Sequence, residues 1–361
     1  MTPAAKTEST LPVTFEDVLA AREFIAPYLP KTPLVRSEKL SALLDCDYYL
    51  KCENVQPIGA FKVRGGVNLV GTDDLVRTAR GSGRARTFVT ASTGNHGQSI
   101  AYAGRLFGAR VIIYAPAENV NETKMQAMRA LGAEVRLHGR DFDEARLETE
   151  RVAETEGYLY VHSANEPKLI AGVGTIGLEI FEDLPDVEVI FAPAGGGSCA
   201  SGNCIVAKHL KPNVQVIAVQ SEAAPAMWHA WKNRSLDEYP TMKTEHEGLA
   251  TRVPFEMPSR ILWELLDDFV LATDEEINEA IRLLAVNAKQ IAEGAGAASL
   301  AGALKLRDQS RGSSPTNRGP RAGSPRGVVD REGLKGKKVV GILTGGNIPP
   351  DRFASLMSSR A

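Results

Sequence analysis

Cysteine is scarce in this chain. There are four in 361 residues, Cys46, Cys52, Cys199 and Cys204, with no CxxC pair among them. That scatter through apolar segments fits reduced thiols better than a disulfide framework or a thiolate zinc site. Net charge is equally scarce: Lys and Arg total 42 against 44 Asp and Glu. Such a balance gives no whole-molecule field to attract nucleic acid or a membrane surface, so neither is expected as a partner. No apolar run approaches the roughly 20 residues that span a bilayer. The opening MTPAAKTESTLPVTF does not resemble a secretory signal, and the expected location is the cytoplasm. There is no internal repeat.

With 43% hydrophobic and 24% charged residues, the chain can bury a large core in one or two domains. Apolar, β-rich runs at Asp47 to Leu50, Arg86 to Ala91, Ala109 to Ala115, Glu134 to Leu137, Val187 to Ala192, Gln215 to Gln220 and Lys338 to Thr344 read as strands. Between them, Asn95 to Phe107, Asn121 to Leu131, Phe142 to Thr155, Ala200 to Leu210 and Thr273 to Leu306 carry helical spacing. Alternation of this kind predicts an α/β fold of two open, mostly parallel sheets flanked by helices. Residues 86–161 form a compact βα set of their own, a small domain set into a larger one made of 1–85 and 162–361. The stretch 308–337, with SRGSSPTNRGPRAGSPRG, is too polar to bury and reads as a disordered surface insertion.

Four motifs carry chemistry. In Gln56-Pro57-Ile58-Gly59-Ala60-Phe61-Lys62-Val63-Arg64-Gly65-Gly66 a lysine follows an aromatic ring and is bracketed by glycines. Lysine amines become Schiff-base nucleophiles when burial or a nearby cation lowers their pKa, and Arg64 is expected to act as that cation. Taken alone, Lys62 reads more readily as an exposed helix start. Ser92-Thr93-Gly94-Asn95-His96-Gly97 links a strand to a helix, which suits a carboxylate on the free N–H groups or, more plainly, a helix cap. Ala194-Gly195-Gly196-Gly197-Ser198-Cys199 joins a strand to a helix with no P-loop lysine, so it suits a monophosphate better than ATP. Thr344-Gly345-Gly346-Asn347 places a hydroxyl at a strand's carboxyl end, where open α/β sheets bind ligands. Gly172-Val173-Gly174-Thr175-Ile176-Gly177 matches GxGxxG, but it lies between helical segments rather than after a strand, so no dinucleotide site is expected.

Taken together, in this order and at these spacings, the four motifs resemble the fold-type II pyridoxal-phosphate enzymes, tryptophan synthase β-like in architecture. Within that group they resemble the serine/threonine dehydratase and serine racemase branch, from about Phe15 to Phe353 with 308–337 interrupting. The resemblance implies pyridoxal 5'-phosphate as cofactor, held by Lys62 as a Schiff base. It implies that Asn95 bonds the ring oxygen, that Gly195, Gly196, Gly197, Ser198 and Cys199 hold the phosphate, and that Thr344 faces the pyridine nitrogen. Phe61 would pack near the ring, Ser92, Thr93, Asn95 and His96 would grip the substrate carboxylate, and Glu293 and Gly248 would lie on the cofactor side. The implied activity is dehydration and deamination of a β-hydroxy amino acid, L-threonine or L-serine, to a 2-keto acid and ammonia by a homodimer.

The alternatives are a racemase or a dehydratase for another substrate such as hydroxyaspartate. A non-catalytic cofactor-binding module is the reading from a different class, and intact Lys62, Asn95 and glycine cradle oppose it. Racemases of the branch place a serine where Thr93 stands, so racemisation is the minor reading. The branch's divalent-cation position would fall on Gln220, Ala224 and Ala226, an amide and two alanines that are poor ligands for a hard cation, so no metal is expected. Only about fifteen residues follow Asn347, too few for a fold, so a catabolic enzyme without an appended regulatory domain is expected.

Overall fold

The computed structural model describes residues 11–79, 86–118, 122–310 and 333–358. Among these lie ten strands: β1 (Leu34–Arg36), β2 (Asp47–Cys52), β3 (Thr87–Ala91), β4 (Arg110–Ala115), β5 (Glu134–Leu137), β6 (Leu159–Tyr160), β7 (Val189–Pro193), β8 (Gln215–Ser221), β9 (Asp268–Ala272) and β10 (Lys338–Leu343). They build a six-stranded sheet in the order β1-β2-β10-β7-β8-β9 and a four-stranded sheet in the order β5-β4-β3-β6. Every pairing is parallel except that of β1 with β2. The protein is therefore α/β with mostly parallel sheets, as the alternation of runs predicts. Helices cover both faces, which is why a central strand such as β7, VIFAP, is buried at every position and shows no polar alternation.

The GxGxxG stretch lies inside the helix Pro167–Asp183. Its glycines make a packing stripe: a Cβ on Gly172 would stand 2.6 Å from the Arg64 carbonyl oxygen, so only glycine allows this helix to lie against the helix Lys62–Gly71. No helix among the described residues is long and apolar enough to cross a membrane. Of the polar stretch 308–337, Asp308 to Ser310 complete the helix Gly294–Ser310 and 333–336 form a turn. Positions 311–332 lie outside the described residues.

One sequence expectation is corrected. The segment Thr273 to Leu306 is not one helix: Asp274–Leu283 ends in a single π turn, Leu284–Ala288, and a new helix starts at Gly294. Lys289 closes the turn in a left-handed conformation, φ 58°. Long-range bonds hold the break open. Asn54 Nδ2 donates to Gln290 Oε1 at 2.9 Å and to the Ile291 carbonyl at 3.2 Å, and the Glu293 N–H donates to the Gly345 carbonyl at 3.0 Å. Helical periodicity is a local signal and carries no trace of such partners.

Candidate active site

Lys62 opens the helix Lys62–Gly71, and the loop before it is pinned to the chain just after β10. Phe61 N–H donates to the Thr344 carbonyl at 2.9 Å, Gly346 N–H donates to the Gly59 carbonyl at 2.9 Å, and Ala60 bridges Gly345. From the helix Asn95–Phe107, Ser99 Oγ donates to the Lys62 carbonyl at 2.6 Å. The buried Val63, Val67 and Val70 anchor the Lys62 helix in the core, each stabilising the fold by roughly 1.5–3 kcal/mol.

The Lys62 amine meets only neutral oxygens, the Ser163 carbonyl and Ser198 Oγ, both at 3.2 Å, and lies 5.4 Å from the centre of the Phe61 ring. Burial without a carboxylate partner lowers its pKa from 10.5 to about 8. Arg64 does not do this, contrary to the sequence expectation: its guanidinium is neutralised by Glu53 and Glu179 on the far side of the helix.

The glycine cradle turns into the helix Ser198–Leu210, whose first residue sends its hydroxyl to Lys62. Gly197 has φ 86°, and no side chain caps the helix, so its leading N–H groups are left for an anion. The turn Glu247–Leu249 packs on the cradle so closely that a Cβ on Gly195 would collide with the Gly248 carbonyl oxygen. Cys199 is buried, which pushes its thiol far up and leaves it unreactive.

Asn95 sits in a relay. Asn347 Nδ2 donates to the Ile58 carbonyl at 2.9 Å and to Asn95 Oδ1 at 2.8 Å, and Asn95 Nδ2 donates to Glu293 Oε1 at 2.6 Å. Burial raises the Glu293 pKa, with the Asn95 hydrogen bond opposing. The helix break described above is what delivers this carboxyl.

His96 has a defined tautomer. Thr90 Oγ1 gives its single proton to the Val161 carbonyl at 2.7 Å, so at 2.9 Å it accepts from His96 Nε2. The imidazole is thus neutral, held at about pKa 3 by burial and then by the charge of Lys62, and its Nδ1 is buried with no partner. Toward a carboxylate His96 offers its backbone N–H. Ser92 Oγ accepts from the N–H groups of Gly94 at 3.2 Å and Gly97 at 2.9 Å, leaving its proton to donate. Thr93 is half-exposed beside it.

Sequence reasoning missed the Ser163 carbonyl, which follows the two-residue strand β6 with no motif around it, and the bracing role of Asn347, whose motif was visible. At the expected cation position, Gln220 Oε1 accepts from the Trp228 N–H at 3.1 Å, while Ala224 and Ala226 are buried. Elsewhere Glu245, His246 and Asp274 bring donor atoms within 4.8 Å of one another. The Asp274 carboxylate there is already engaged by Ser221, Thr244 and the Glu245 N–H.

The Thr344 hydroxyl is buried without a partner. An orphaned hydroxyl, an uncapped helix start and an amine lacking a counter-ion all fit a phosphate-bearing carbonyl cofactor that has a ring nitrogen. The Lys62 site therefore suits an enzyme that uses such a cofactor.

Residues 25–316 match the family model described as Pyridoxal-phosphate dependent enzyme. The L-threonine ammonia-lyase of Thermotoga maritima is 36% identical over 340 residues, 93% of this chain and 76% of that one. A catabolic L-threonine dehydratase of Staphylococcus aureus is 33% identical over 348 residues, 96% and 92% of the two chains. Among solved structures, maize serine racemase superposes with a TM-score of 0.83 at 26% identity, covering 96% of this chain and 97% of that one. Threonine deaminase isoform 2 of Solanum lycopersicum gives 0.81 at 28% identity, covering 94% and 85%. The chain belongs to the pyridoxal-phosphate dependent enzyme family, and pyridoxal 5'-phosphate is its cofactor.

Proposed function

We propose that this enzyme is an ammonia-lyase that dehydrates and deaminates L-threonine or L-serine to the 2-keto acid and ammonia. The observation that carries the reading is the Lys62 amine, buried beside neutral oxygens at a pKa of about 8. Near neutral pH such an amine can both attach a carbonyl group and accept a proton. The relatives named for threonine chemistry, at 36% and 33% identity over most of the chain, support the same substrate class.

When bound, pyridoxal phosphate supplies an electron sink for the charge left at the substrate α-carbon. Lys62 Nζ takes the α-proton. The cradle from Gly195 to Cys199 would hold the phosphate on backbone N–H groups, and Asn95, braced by Asn347 and Glu293, would bond the ring oxygen. Ser92, Thr93, Asn95 and the His96 backbone hold the substrate carboxylate. Thr344 would offer a neutral hydroxyl rather than a carboxylate to the ring nitrogen, which would restrain alternative carbanion fates and favour loss of the β-hydroxyl as water with the proton that Lys62 took. Water then converts the released enamine to the keto acid and ammonia. Phe61 and Gly248 shape the walls.

On this reading residues 86–161 are the substrate-side domain and the remainder holds the cofactor, in a cytoplasmic homodimer. The decisive experiment incubates the holoenzyme with L- and D-serine, L- and D-threonine and hydroxyaspartate. Keto acid and ammonia from the L-substrates are expected. Inversion of serine without ammonia release favours the racemase reading, and release from hydroxyaspartate alone moves the substrate.

A further inference from the structure

Behind the Lys62 helix lies a buried knot of charge that the chemistry above does not use. Arg64 is 1% exposed. Its Nε donates to Glu53 Oε2 at 2.7 Å and its Nη2 to Glu53 Oε1 at 2.8 Å, a two-pronged pair. Nη1 donates to Glu179 Oε1 at 2.7 Å and Thr175 Oγ1 at 3.1 Å, and Nη2 also reaches Glu179 Oε2 at 2.8 Å. Lys51 Nζ, fully buried, donates to Glu179 Oε2 and to the Thr32 carbonyl, each at 2.7 Å. Arg22 adds a contact to Glu179 Oε1 at 2.9 Å. Burial alone pushes the Glu179 carboxyl up, but the hydrogen bonds and charge of Arg64, then of Lys51, hold it at about 2.

Stability is a poor reason for such a knot, because well-packed apolar residues of the same volume often serve as well or better. Geometry is a better one. Glu53 and Arg64 bracket the segment that carries Lys62, so their forked pair ties its two ends together. Positions 62 and 64 point about 200° apart on a helix. The knot therefore grips the face opposite the amine, and the planar guanidinium fixes that face in rotation as well as distance.

We propose that Arg64, oriented by Glu53 and Glu179, is a positioning residue. The knot sets the rotation of the Lys62 helix about its own axis, and with it the direction from which the Lys62 amine meets the cofactor. The inference rests on Lys62 being the point of attachment.

Arg64→Lys keeps the charge and loses the fork. In the holoenzyme, kcat is expected to fall about tenfold or more while KM stays within about threefold. The visible circular dichroism per bound cofactor, which reports the orientation of the linkage, falls with it. Thr175→Val deletes one acceptor of Arg64 with little change of shape, and it decides the matter if Arg64→Lys does not fold. It should give the same signature at about two- to fivefold in kcat. Wild-type dichroism and kcat in the variants that fold overturns the proposal, and so does a loss of kcat at unchanged dichroism. Borohydride reduction of the wild-type holoenzyme with peptide mapping separates the two layers. A label on Lys62 with silent variants defeats the positioning role alone, whereas a label on another lysine defeats the attachment reading beneath it.

Discussion

Lys51 Nζ meets the Glu179 carboxylate and the Thr32 carbonyl, each at 2.7 Å, whereas Lys62 Nζ meets a carbonyl and a hydroxyl at 3.2 Å. Burial pulls the pKa of both amines down, and Lys51 has the charge and hydrogen bond of Glu179 pulling back. A buried cation that is fully paired belongs to the scaffold. One left beside neutral oxygens raises the energy of its own charged form and is ready to react. The fold keeps the two types on separate sides of one short helix, so the reactive amine never feels Arg64.

The largest expected effect that sharpens this contrast is on activity. Lys62→Ala should lower kcat by about a thousandfold or more, measured as keto acid release, and a variant that keeps full rate would sink the mechanism. Stability comes next. Lys51→Met leaves Glu179 short of a partner and should cost about 3–5 kcal/mol in urea unfolding, while Lys62→Met in the cofactor-free protein should be neutral or stabilising. Equal losses would erase the distinction between the two lysines. In the cofactor-free protein, acylation of Lys62 should reach half its maximal rate near pH 8 rather than 10.5, and a midpoint above 10 contradicts the pocket as described.

The pH dependence of stability is smaller. His96 and His162 are held near pKa values of about 3 and 4, chiefly by burial, against an ordinary 6.5. The unfolded chain therefore binds protons that the folded one refuses, and stability should decline as the pH falls from 6.5 toward 4, by at most about 1.4 kcal/mol per pH unit for each histidine. Urea midpoints unchanged between pH 7 and pH 5 would count against it. The smallest effect is expected at Thr344→Asp, which should shift the absorbance of the bound cofactor and the ratio of ammonia release to racemisation. An unchanged spectrum and ratio removes Thr344 from that role.

The motifs were legible because strand-to-helix turns with glycine and hydroxyl residues are local, and β5 and the helix Asn95–Phe107 lie where the sequence reading put them. Three strands escaped it. β1 and β6 are too short to show a period, and β9 opens on Asp268 straight after Asp267, a pair of carboxylates that masks the start of a strand. The charge knot was half visible: Glu179 interrupts the apolar run of TIGLEIF, a sign of a buried carboxylate that requires cations. Which cations, and that they silence Arg64 toward Lys62, depends on residues far apart in the chain. The helix break before Glu293 was hidden for the same reason.

The place of β10 has a consequence in time. It lies between β2 and β7 in the larger sheet yet follows both in the chain, whereas residues 87–160 contain the whole of the smaller sheet. On the ribosome the smaller sheet can close early, and the larger one waits for residues 338–343 to emerge. Thr344 and Gly345 arrive with them, bringing the carbonyls on which the Phe61 and Glu293 N–H groups rest. The pocket around Lys62 is thus among the last parts to be completed, and a nascent chain does not hold a finished reactive amine.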